Sequence, residues 1–190
     1  MPTVKPKIRI ENVVASASLR HGIDLGAVVQ AFPDAEYRPK EFPGLVFRLK
    51  KPKTATLIFA SGKMVCTGAR SEGEARRALV NVVRDLKKAG IIIVGRQEIK
   101  IQNVVASANL SGWVDLMGLY EIERDMRGRI LYEPEQFPGL IYRMNEPKVV
   151  LLLFASGKLV CTGARKEEDV YEAVDKIQKR LEEQKQIHYT

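Results

Sequence analysis

One block of sequence is written twice. Residues Phe42 to Arg70 read FPGLVFRLKKPKTATLIFASGKMVCTGAR, and residues Phe137 to Arg165 read FPGLIYRMNEPKVVLLLFASGKLVCTGAR. The two agree at 19 of 29 positions at a constant offset of 95. A shorter pair precedes them, IENVVASASL from Ile10 and IQNVVASANL from Ile101, identical at eight of ten positions at an offset of 91. Self-similarity over this length is an internal duplication, and any fold must accommodate two copies of one unit. The change of offset places a four-residue length difference between Leu25 and Tyr37 in the first copy and Leu116 and Tyr132 in the second. Insertions are tolerated in such connecting regions.

Each copy predicts strand, short helix, three short strands and long helix. Ile8 to Leu19 alternates and is β-branched, as a strand is. Asp24 caps a short helix, LGAVVQAF, which Pro33 stops. Tyr37 to Gly44 is a loop. Leu45–Leu49, Thr54–Ala60 and Lys63–Gly68 are strands, the last two joined by a tight turn at Ser61-Gly62. Ser71 and Glu74 have capping-box spacing, and Ala75, Ala78, Leu79, Val82, Val83 and Leu86 form one apolar stripe ending near Gly90. Ile91 to Ile101 supplies a further strand into the second copy. There the long helix is expected from Lys166 to Leu181, with a frayed polar tail after it. The divisions are a tail over residues 1–7, repeats over 8–95 and 96–182, and a tail over 183–190. Short connections make the sheet antiparallel.

Helix enough to cover one sheet face only should leave an alternating apolar and polar pattern. The strands are instead apolar on both faces. Val13, Ala15, Ile58 and Cys66 belong under the helices. The other face carries Asn12, Val14, Leu57, Phe59, Val65 and Thr67, repeated as Asn103, Val105, Leu152, Phe154, Val160 and Thr162. Stacking of the two copies as a sandwich would bury this face. The amides and threonines argue against that, because a dry core leaves them without partners. Repeated cations rim the face: Arg48, Lys53 and Lys63, then Arg143, Lys148 and Lys158. An apolar surface with a cationic rim suits a polyanion with an apolar floor, and the minor groove of A·T-rich DNA is such a floor.

The net charge of +8 agrees with a polyanionic partner but is uneven. Residues 1–95 hold 17 Lys and Arg against 8 Asp and Glu; residues 96–190 hold 14 against 15. Cys66 and Cys161 occupy equivalent positions inside apolar runs and are expected to be buried thiols, neither disulfide nor metal ligands. No catalytic constellation, phosphate loop or metal spacing is present, so neither an enzyme nor a cofactor is expected. No apolar run is long enough for a membrane span and the N-terminus lacks a secretory signal, which points to a soluble intracellular protein.

The stretches NVVASASL, EFPGLVFR and LIFASGKMVCTGAR, with their second copies, resemble the TATA-box-binding protein family over about Ile8 to Leu181. The lack of a long N-terminal extension resembles archaeal members. The resemblance implies an α+β fold in which two pseudo-symmetric repeats form one saddle-shaped, curved antiparallel sheet with helices on the convex face. It implies a general transcription initiation factor that binds double-stranded DNA in the minor groove of an A·T-rich promoter element and bends it. By motif position, Phe42, Phe59, Phe137 and Phe154 are the wedges inserted between base steps. Asn12, Val14, Leu57, Val65 and Thr67, with Asn103, Val105, Leu152, Val160 and Thr162, touch bases. Arg48, Lys53, Ser61 and Lys63, with Arg143, Lys148, Ser156 and Lys158, touch phosphates. The second loop, with Glu133, Glu135 and Gln136, is implied to bind transcription factor B, which recruits RNA polymerase. A homodimer hiding the apolar face in the absence of DNA is compatible with the same surface. The alternative class is a protein-interaction module that uses the open apolar face for a peptide.

Overall fold

A computed structural model describes residues 4–125 and 129–190. Contacts divide the chain into two compact units, one of Asn12–Gln102 and one of the segment up to Glu11 together with Asn103–Thr190. The unit boundaries fall inside two long strands, β1 (Lys7–Ser18) and β5 (Glu98–Asn109), and so are offset from the sequence repeats.

In the first unit β1 is followed by α1 (Leu25–Ala31), β2 (Leu45–Lys50), β3 (Lys53–Ile58), β4 (Lys63–Ala69) and α2 (Glu72–Lys88). The strands are antiparallel, in the order β2-β3-β4-β1. Asp24 caps α1, accepting from the Ala27 N–H at 3.2 Å. Ser71 caps α2 through the Glu74 N–H at 3.0 Å, while Glu74 reaches back to the Arg70 N–H at 2.6 Å, one residue beyond the reciprocal bond of a capping box. The predicted stripe is the buried face of α2, packed over Val13, Ala15, Ile58, Met64 and Cys66, all of which are fully buried. Burying that stripe supplies the hydrophobic drive for the unit.

The second unit repeats the plan with β5, α3 (Leu116–Glu123), β8 (Leu140–Met144), β9 (Val149–Leu153), β10 (Lys158–Ala164) and α4 (Glu167–Glu183). It adds the short strands β6 (Gly112–Val114), β7 (Ile130–Leu131) and β11 (Ile187–Tyr189). Its main sheet runs β5-β10-β9-β8-β7. α3 is one residue longer than α1, and β7 extends the edge beside β8; the rest of the four-residue difference reaches residues 126–128, outside the described ones.

Four expectations are corrected. The strand into the second copy starts at Glu98 rather than Ile91, because Gly95 takes a left-handed conformation (φ 76°) and breaks the extended run. The β3–β4 turn is centred on Ala60 and Ser61 rather than on Ser61-Gly62. The Gly62 N–H donates to the Phe59 carbonyl, and Gly62 itself holds φ 90°, the left-handed position of a three-residue hairpin loop. The second long helix continues to Glu183. The C-terminal stretch does not fray: Ile187–Tyr189 pairs with β6, and the Tyr189 hydroxyl donates to Glu182 and accepts from Gln178.

Cys66 and Cys161 are buried free thiols. Burial pushes both up from the ordinary thiol range, Cys161 to about 12, so at neutral pH they pack as small apolar groups. No helix among the described residues is long and apolar enough to cross a membrane.

Candidate nucleic-acid interface

In each unit the sheet face away from the helices is part-exposed rather than buried. Cross-strand pairing arranges it in rows. In the first unit one row runs Val46–Leu57–Val65–Ser16 and the next Arg48–Ala55–Thr67. In the second unit the same rows are Ile141–Leu152–Val160–Ser107 and Arg143–Val150–Thr162. The central strands are lined by small or branched apolar groups, and a guanidinium ends one row in each unit, Arg48 on the edge strand β2 and Arg143 on β8 beside β7. Lys53 and Lys63 share the facing of Leu57 and Val65, and Lys148 and Lys158 that of Leu152 and Val160, by strand alternation. All these cations are exposed. Ser61 and Ser156 lie at the hairpin tips, each hydroxyl accepting from the backbone N–H two residues on.

Asn12 and Asn103 sit where each long strand meets the β-bulge of its neighbour. The Asn12 Oδ1 accepts from the Gly68 N–H at 2.8 Å, and its Nδ2 donates to Thr67 Oγ1 at 3.2 Å. Asn103 makes the same pair of bonds, to the Gly163 N–H at 2.8 Å and Thr162 Oγ1 at 3.3 Å. A backbone N–H can only donate, so the amide oxygen must face it, and this fixes the orientation of both side chains. Each Nδ2 spends one of its two hydrogens on the threonine, and both asparagines are part-exposed.

The four phenylalanines form two pairs. Phe42 and Phe59 meet edge to face with centroids 5.9 Å apart, and Phe137 and Phe154 repeat the geometry at 5.9 Å. Phe42 and Phe137 are 43% and 41% exposed, far from the burial that core packing would give. The glycine of each Phe-Pro-Gly turn makes the pairing feasible. A Cβ on Gly44 would lie 2.7 Å from Phe42 Cε1 and 3.1 Å from Phe59 Cε1, and one on Gly139 would meet Phe137 and Phe154 at the same distances.

Several residues of this face escaped the sequence reading. Ser16 and Ser107, Val46 and Ile141, and Ala55 and Val150 follow from strand alternation once register is known. Others are hidden by a change of phase. Ile101 and Val104 are both buried although three residues apart, so Gln102 and Asn103 face the open side consecutively. Gln102 accordingly donates to Ser16 Oγ at 2.7 Å, and at the matching place the Ser107 hydroxyl donates to Glu11 Oε1 at 2.8 Å. Glu133, Glu135 and Gln136 stand exposed on the loop before Phe137, which is closed by bonds from the Gln136 and Phe137 N–H groups to the Glu133 carbonyl. Among the described residues no group of His, Cys, Asp and Glu is arranged to hold a metal ion.

A duplicated α+β scaffold with amide donors, exposed aromatic pairs and a cationic rim on open sheet faces defines a class of protein built to bind an extended polyanion rather than to enclose a small molecule. The family model described as "Transcription factor TFIID (or TATA-binding protein, TBP)" matches residues 7–89 and again 98–184. The TATA-box-binding protein of Pyrodictium occultum is 53% identical over 184 residues, covering 96% of this chain and 90% of that one. That of Archaeoglobus fulgidus is 49% identical, covering 92% and 94%. The solved structure of Methanococcus jannaschii TBP superposes with a TM-score of 0.79 at 48% identity, over 93% of this chain and 99% of that one. The chain belongs to the TATA-binding protein family.

Proposed function

We propose that this chain is a general transcription initiation factor that binds the minor groove of an A·T-rich promoter element. The observation that carries the reading is the pinned amide of Asn12 and of Asn103 on the part-exposed face, each Nδ2 spending one of its two hydrogens on a threonine. In the minor groove an A·T pair offers only acceptors, adenine N3 and thymine O2, while a G·C pair adds the guanine amino donor. The remaining amide hydrogen, over Val, Leu and Thr side chains, can donate to the acceptors of an A·T pair and is opposed by the amino donor of a G·C pair. The cations hold phosphates and set register without choosing sequence. The phenylalanine pairs are placed to wedge into base steps. Opening a step costs about a few kcal/mol in wedging minor-groove binders, the class this family exemplifies, and a flat ring restores part of the lost stacking.

Gel shifts with an A·T-rich eight-base-pair site and a G·C-substituted one test this. The parent should prefer the first steeply, and Asn103→Ala should reduce that preference at the centre of the site by about tenfold. Equal weakening on all sequences would make the amides positioners and overturn their role as readers.

The exposed Glu133–Gln136 loop is the proposed contact for transcription factor B. The first unit carries Arg38 and Lys40 where the second carries Glu133 and Glu135, so the two loops differ in charge at one equivalent place. Carboxylates close to a phosphate rim weaken DNA binding unless a cationic partner uses them. The double variant Glu133→Lys, Glu135→Lys is expected to keep or improve DNA affinity and to weaken the ternary complex with factor B by about tenfold. Ternary assembly at parental strength would show the carboxylates to be solvated charges of little worth.

A further inference from the structure

In the second unit an open cavity of about 670 Å³ lies against Phe154, lined by Val160, Ser156, Lys158, Lys7 and Arg9 among others. Lys7 and Arg9 escaped the sequence reading because of the phase change in the long strands. The matching strand β5 sets Ile99 in a cavity shared with Leu79, Val80 and Val83 of α2, buries Ile101, and by alternation leaves Glu98, Lys100 and Gln102 on the open side. By the same alternation Lys7, Arg9 and Glu11 share the open side of the second unit, where Glu11 meets Ser107. Lys7 and Arg9 stand about 6.6 Å apart along the strand. Arg9 lies 3.6 Å from Glu11, in a pair too exposed to neutralise it firmly.

We infer that this cavity is a sugar–phosphate seat: its apolar floor takes a deoxyribose beside the step opened by Phe154, and Lys7, Arg9 and Lys158 take the phosphates on either side. The first unit matches these residues at Phe59, Ser61, Lys63, Val65 and Lys100 and departs from them at one cation. Glu98 replaces Lys7 there and lies 3.9 Å from Arg20 and 4.0 Å from Lys100. Those pairs are as exposed as that of Arg9, so the carboxylate keeps its charge and repels a phosphate where Lys7 attracts one. The strand is therefore gripped more firmly beside Phe154 than beside Phe59, which gives a duplicated reader a preferred direction on DNA. The inference rests on the minor-groove reading above.

The test uses the full chain on an A·T-rich duplex, with affinity measured against salt and phosphate contacts mapped by ethylation interference. The variant Lys7→Gln, Arg9→Gln should flatten the slope of log K against log salt by about two, since each phosphate contributes about 0.9. It should lose interference at phosphates flanking one opened step only. Glu98→Lys should steepen the slope by about one and add contacts beside the other step. Parental slope and contact map in the double variant, with A·T-selective binding retained, overturn the seat alone. Absence of A·T-selective binding in the parent overturns the minor-groove reading and the seat with it.

Discussion

Arg180→Met is expected to cost the second unit about 3–5 kcal/mol, the largest loss foreseen for a single substitution away from the sheet. Arg180 Nε donates to Glu123 Oε1 at 2.5 Å, and Glu123, at the end of α3, is only 2% exposed. The Gln184 amide adds a bond at 2.7 Å and the Tyr142 hydroxyl another at 3.4 Å. Burial, and then the Glu123 carboxylate, push the Tyr142 phenol up from its ordinary value, which keeps it a donor. Arg180 itself is half exposed and tolerates loss of its partner by turning to water. The carboxylate cannot, so the larger cost falls on removing the cation. The first unit solves the same packing problem without charge. At the offsets of 91 and 95, Phe32 stands in the place of Glu123 and Phe47 in that of Tyr142, and their rings meet edge to face at 4.9 Å. A double variant Glu123→Phe, Tyr142→Phe should therefore lie within about 1 kcal/mol of the parent, because a well-packed apolar pair often replaces a buried ion pair without loss. Urea denaturation of both variants decides. An Arg180→Met protein within about 1 kcal/mol of the parent would mean that water already satisfies the carboxylate.

What could be read from the sequence is what periodicity carries. The duplication, the α2 stripe, the caps at Asp24 and Ser71 and the two-faced apolar strands all repeat at fixed spacing, and these are the features that position the open faces. What stayed hidden depends on single contacts that no period announces. Glu123 sits in LMGLYEIERD as a plausible solvent charge, and only Tyr142, Arg180 and Gln184, brought together by folding, make it a buried one. The strand Ile187–Tyr189 is three residues long in a polar tail, and its partner β6 is equally short, so neither has a pattern of its own. The phase change near Asn12 and Asn103 leaves the hydrophobic alternation intact to the eye while moving Lys7, Arg9 and Glu11 to the opposite side. Gly44 and Gly139 were legible only as turn residues; their closeness to two rings is a tertiary fact.

That closeness allows the wedges to be tested without touching a phenylalanine. Gly139→Ala places a Cβ 2.7 Å from Phe137 Cε1, 3.1 Å from Phe154 Cε1 and 3.3 Å from the Leu153 carbonyl oxygen. The closest neighbours are ring edges on an exposed or part-exposed pair, and these can swing aside at lower cost than backbone. Stability should then change by less than about 1 kcal/mol, since the overlap is set against the reduced freedom of the unfolded chain that an alanine brings. DNA binding should respond more strongly. A wedge acts only if the ring plane enters the step, and rings pushed apart no longer present the edge-to-face geometry at 5.9 Å. The bend measured by energy transfer across the site should shrink, with affinity falling about tenfold or more, while Phe154→Ala removes a ring outright and falls further. Gly73→Ala on α2 serves as the control, because its Cβ would lie no closer than 3.5 Å to the Arg77 guanidinium, away from the open face. A Gly139→Ala protein that binds and bends DNA as the parent does would show either that the rings yield without consequence or that they are not wedges. Parental behaviour in Phe154→Ala as well would settle the matter against the wedges.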